Sequence, residues 1–95
     1  MFDLSEMKPE HFESLLGQAL PIVDSPLAFT VGSVVRLKSP SPRGAPFSLS
    51  LKAPAHAQGG QGIYRLRHPE LGEFEIFLVP IAPVDGVPMF EAVFN

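Results

Sequence analysis

Cysteine and tryptophan are both missing from this chain. Without thiols there are no disulfides, no Cys-ligated zinc, no iron–sulfur cluster and no thiol nucleophile, so stability has to come from an apolar core. A single tyrosine stands against eight phenylalanines, a balance that favours packing over aromatic recognition surfaces. Long apolar runs are scarce too. The longest, Ile76 to Val84, is interrupted by Pro80 and Pro83 and falls short of the roughly 20 residues a membrane helix needs. The first seven residues place acids where an export signal carries a basic region and an apolar stretch, so the expectation is a soluble, cytoplasmic protein with no membrane partner.

Acidic residues are absent from one long stretch. Between residues 25 and 69 lie Arg36, Lys38, Arg43, Lys52, Arg65 and Arg67 with no carboxylate, while all ten acids sit in the flanks. One reading makes the basic groups an anion-binding face, for which Arg36, Lys38, Arg65, Arg67 and His68 are the candidate binding residues. The other pairs them with acids brought in from the flanks. The net charge of −3 favours the second and argues against a nucleic-acid partner, since such binders carry a basic overall balance.

What the chain does contain is a hairpin whose register can be written down. Ile63 to Leu78 alternates on both sides of the loop His68-Pro69-Glu70-Leu71-Gly72. Side chains switch faces with period two, so one pairing sets Arg67 opposite Glu73, Arg65 opposite Glu75 and Ile63 opposite Phe77. The same pairing gathers Tyr64, Leu66, Phe74, Ile76 and Leu78 on the other face. Phe47, Leu49, Leu51 and Ala53 alternate with Ser48, Ser50 and Lys52 in a further half-buried strand. Phe29, Val31, Val35 and Leu37 share one parity, with Gly32-Ser33 marking a bulge or a turn. Ala19 to Val23 is a short strand.

Helical spacing appears once, over residues 9 to 16. Ser5 is a cap, Pro9 suits the first turn, Gly17 is a stop, and Phe12, Leu15 and Leu16 form the apolar stripe, with His11 pointing to solvent. Residues 39–44 and 54–61 are loops by composition. For the last strand, a two-residue Asp85-Gly86 turn would carry Glu91 to the core face. A longer loop aligns Phe90, Ala92 and Phe94 with Ile76 and Leu78, and is favoured because burying a lone carboxylate is costly. The 95 residues thus make one domain, 1–95, of the mainly β (α+β) class: a small antiparallel β-barrel or sandwich of five to seven strands with one N-terminal helix.

Catalytic chemistry has no local signature. His11, His56 and His68 share no metal-ligand spacing, and Ser41, Ser48, Ser50, Glu70 and Glu73 sit in no nucleophile motif. Gly59-Gly-Gln-Gly62 leads into a strand, whereas phosphate cradles lead into a helix. The expectation is no catalytic residue, no metal and no cofactor, with a fold that survives replacement of all three histidines by alanine.

Leu15-Leu-Gly-Gln18, Pro46-Phe-Ser-Leu-Ser-Leu51, Gln61 to Pro80 and Phe90-Glu-Ala-Val-Phe-Asn95 together resemble a small uncharacterised bacterial family of single-domain proteins. Its members are often encoded beside proteins with a phage tail-collar-like domain of the microcystin-dependent type. The resemblance covers nearly the whole chain and implies a tail-associated context, with no reaction or catalytic residue to carry over. The function expected is therefore a non-catalytic protein-interaction or structural accessory module, its protein partner a tail-collar-like protein or a second copy in a homo-oligomer. The alternatives are a small-ligand-binding β-barrel and a small hydrolase using His56 or His68 with a nearby Glu.

Overall fold

Opposite charges and apolar alternation agree on one register for the hairpin, and that register is the one formed. In the computed structural model, which describes residues 1–38, 46–54 and 60–94, strand β4 (Gly62–His68) pairs antiparallel with the first half of β5 (Gly72–Val84). Ile63 faces Phe77, Arg65 faces Glu75, Arg67 faces Glu73 and His68 faces Gly72. Pro69, Glu70 and Leu71 make the turn. Gly72 leaves it at φ +85°, in the left-handed region where a side chain is strained.

The other strands are β1 (Ala19–Pro21), β2 (Ala28–Arg36), β3 (Phe47–Lys52) and β6 (Val87–Phe94), all antiparallel in the order β1-β2-β3-β6-β5-β4. An Ile22–Leu66 bridge and a 2.9 Å bond from Val23 N to the Arg65 carbonyl bring the two ends of the sheet together. The result is a nearly closed small barrel, as the strand patterns predict. Strand β5 serves two ladders: Gly72 to Leu78 with β4, then Val79 to Val84 with β6.

One helix, α1 (Pro9–Glu13), follows a 3-10 turn at Leu4–Glu6. It is shorter than the periodicity suggests, with Lys8 rather than Ser5 as its N-cap and Ser14 closing it, while Asp3 caps the 3-10 turn. Phe12 and Leu15 are buried, whereas Leu16 turns to solvent beyond the last helical residue. Phe12 closes one end of the barrel, its ring about 6 Å from those of Phe47, Phe74 and Phe94. Phe47 and Phe94 stack at 4.3 Å across the β3–β6 ladder. A second aromatic group joins Phe29, Tyr64 and Phe90, with the Tyr64 hydroxyl donating to the Gly60 carbonyl.

Two bulges set which residues face inward. At Gly32 the β2–β3 register shifts by one, so Phe29 and Val31 point into the core but Val34, not Val35, continues that face. An added Cβ at Gly32 would stand 3.1 Å from the Ser50 hydroxyl and 3.3 Å from both the Met89 terminal methyl and the Ser50 carbonyl, so the bulge is shaped around its missing side chain. The β5–β6 turn is the two-residue one. Asp85 and Gly86 both have positive φ, the primed-turn geometry. A shift between Ile81 and Val84 then restores the apolar register, placing Phe90 opposite Pro80 and Glu91 opposite Val79 on the outer face. The favoured outcome, buried Phe90, Ala92 and Phe94, is achieved by a bulge instead of a longer loop.

Leu49 is fully buried at the middle of β3, between β2 and β6. Leu49→Ala is expected to cost about 2 to 5 kcal/mol in urea denaturation, through lost burial and the cavity left behind. Arg65→Ala, which removes an exposed pair, should shift the midpoint far less.

Candidate functional site

Three basic residues of the middle segment, Arg36, Arg65 and Arg67, meet acids from the flanks. Arg36, at the end of β2, reaches α1: its guanidinium binds Glu10 at 2.7 Å and both carboxylate oxygens of Glu13 at 2.9 and 3.0 Å. These bonds raise the Arg36 pKa further, and the same hydrogen bonding holds the Glu13 carboxyl below its ordinary value. Arg65 pairs with Glu75 at 3.2 Å and Arg67 with Glu73 at 2.8 Å, the Arg67 hydrogen bond lowering the Glu73 pKa. Lys38 is exposed beyond β2 and makes no ion pair among the described residues. The candidate binding residues therefore do not converge. Arg36 fastens the helix, Arg65 and Arg67 line the outer face of the hairpin, and Arg43 lies outside the described residues.

His68, read from sequence as a polar turn residue, is buried at 1% exposure. Its Nδ1 accepts from the backbone N–H groups of Glu70 (3.1 Å) and Leu71 (3.3 Å), and its Nε2 donates to the His11 carbonyl at 2.8 Å. These partners select the neutral ring with the proton on Nε2, since a carbonyl only accepts and an N–H only donates. One side chain thereby shapes the β4–β5 turn and ties it to α1. His11 is also drawn in from solvent. Its Nδ1 accepts from Lys8 N at 2.9 Å, capping α1, and its ring stands edge-on to both Phe2 and His68 at 6.1 Å. Both imidazoles are occupied structurally, and no cluster of metal-ligating side chains occurs among the described residues. His56, the other histidine of the hydrolase reading, and Ser41 lie outside them. The barrel interior is filled by Phe and Leu side chains.

Several large apolar side chains are also exposed. Ile63 is 71% exposed, Phe77 50% and Val93 52%, with Val79 also exposed. Ile63 lies opposite Phe77, and Val79 follows Phe77 on the same face of β5 opposite Glu91, two residues from Val93. Their exposure has a cause: strand alternation turns Phe74, Ile76, Leu78, Ala92 and Phe94 inward and leaves these four on the outer face, with Phe77 and Val93 just past the start of the β5–β6 ladder at Val79 and Glu91. Sequence alternation already put Ile63 and Phe77 on the charged face of the hairpin, which was the signal for this patch. Contiguous exposed apolar groups of this kind mark interaction surfaces, whereas single ones are ordinary. No described helix is long and apolar enough to cross a membrane.

Residues 7–94 match the model of a family described as a domain of unknown function, DUF6916. No curated protein and no solved structure matches the chain.

Two outcomes follow from the polar contacts. His68→Ala strands the His11 carbonyl and two backbone N–H groups in a buried place, so it should cost about 2 to 4 kcal/mol. This reverses the expectation that the fold tolerates loss of all three histidines; urea denaturation of the single variants separates His68 from His11. For pH the sign is set by the depressed Glu13 carboxyl. Its contribution is complete above the ordinary glutamate value of 4.5 and is lost as pH falls through the lower folded value. Acid titration followed at the α1 amides should show the helix loosening in that window, and Arg36→Gln should flatten the response.

Proposed function

The chain belongs to the DUF6916 family, and we propose that it is a non-catalytic protein-interaction module whose docking surface is the apolar patch of Ile63, Phe77, Val79 and Val93. The observation that supports this most directly is the exposure of large side chains where β5 and β6 part. Binding a protein there removes apolar area from water at about 25 cal/mol per Å². The flanking pairs Arg65–Glu75 and Arg67–Glu73 are already satisfied, so the rim needs no opposite charge from a partner. Pro80 and Pro83 interrupt the far half of β5 and disfavour strand addition at that edge, which leaves face-to-face packing as the mode of contact at the patch itself.

The sequence resemblance adds a context, an accessory role beside a tail-collar-like protein. A tail-associated partner offering its own apolar surface fits this patch without requiring any reaction.

Phe77→Asp places a charge at the centre of the patch on an already exposed position, so thermal stability should stay nearly unchanged. In affinity capture against the proteins encoded beside it, the variant should lose at least tenfold of the wild-type recovery of its partner. Val35→Asp, at an exposed site on β2, serves as the control. Equal capture by both variants would remove the patch from the account.

A further inference from the structure

The surface that Met1–Glu6 covers lies within the matched family domain, while Met1–Glu6 itself lies outside the match, which begins at Met7. The ladder of β5 with β6 starts at Val79, so over Glu73–Phe77 the described residues give β5 no second strand. In that place Phe2 donates its backbone N–H to the Glu73 carbonyl at 2.8 Å, a strand-type bond made by an extended segment. The Phe2 ring rests edge-on against His11, which stands edge-on to the buried His68, so an aromatic slot is held from beneath by the turn and the helix together. Phe2 and Leu4 are only partly buried, Met1 is 70% exposed, and no residue of the 3-10 turn is buried. Beside Phe2 a groove of about 580 Å³, lined by Met1, Phe2, Leu71, Gly72 and Glu73, stays open.

We infer that this slot is a recognition site for an extended segment of a partner protein, and that Met1–Glu6 occupies it in cis as a displaceable strap. The segment recognised presents a backbone N–H to the Glu73 carbonyl, an aromatic side chain to His11 and an aliphatic one two residues on, the pattern of Phe2 and Leu4. Main-chain bonding to an unpaired strand edge supplies affinity, and the aromatic slot supplies selectivity. This rests on the interaction-module reading and adds a second contact to it, an unstructured apolar segment of the partner beside the face that packs on the patch. A tethered strap competes at an effective concentration of about the millimolar range, so it weakens a partner without excluding it.

The full chain carrying Phe2→Ala and Leu4→Ala leaves the strap covalently present but unseated. Titrated by NMR with a synthetic peptide of residues 1–6, this variant should bind at least tenfold tighter than the wild-type chain, with shifts at Glu73, His11 and His68. The same peptide with Phe2→Ala should bind neither. Equal binding to both chains, or none to the variant, overturns the inference. Should the variant fail to fold, hydrogen exchange on the wild-type chain decides: the Phe2 amide should exchange at least a hundredfold faster than those of Leu66 and Phe74, and equal protection overturns the strap. Failure of the peptide while Phe77→Asp still abolishes capture removes this inference alone; failure of both removes the interaction-module reading.

Discussion

The ladder of β5 changes partners between Leu78 and Val79, and the rest of the molecule is arranged around that change. A thirteen-residue strand cannot stay flat against one neighbour in so small a domain. Pairing first with β4 and then with β6 bends the sheet far enough for β1 to meet β4 at Ile22 and Leu66. The cost is a stretch of β5 with one bonded edge. Phe12 fills the core behind that stretch, and Phe2 reaches its edge at Glu73.

The ion pairs divide along the same line. Arg65–Glu75 and Arg67–Glu73 decorate a hairpin that the apolar face already specifies, and they are exposed enough to add little. Arg36 does something different, since its carboxylate partners sit on another element and it reads the position of α1 relative to β2. His68 performs the matching task from the buried side, binding the carbonyl of the residue before Phe12. The helix is thus held at both flanks, by a charge at the surface and by a neutral hydrogen bond within.

The hairpin register was legible because two independent alternations, charge and hydropathy, agreed over one local segment. The core strand Phe47–Lys52 was legible for the same reason. Gly32 announced a bulge, yet glycine alone does not say which parity resumes, so the switch from Val35 to Val34 on the inner face escaped. The Asp85-Gly86 turn showed both signals, a tight turn and an apolar register, in apparent conflict; a second bulge reconciled them. His68 was illegible because its burial depends on a carbonyl 57 residues away. The exposure of Ile63 and Phe77 was legible in the alternation, while the placing of Val93 on the same outer face depends on the β5–β6 register that the second bulge sets. The candidate basic site was legible only as composition, which names charges without their partners.

Tyr64 is the one tyrosine in a chain without tryptophan. Its ring meets Phe29 of β2 at 5.4 Å and Phe90 of β6 at 6.0 Å, and its hydroxyl is bound to Gly60 just before β4. All of the tyrosine emission of the protein thus arises from one phenol at the junction of three strands. The barrel carries its own optical reporter, sensitive to whether β2, β4 and β6 remain packed together.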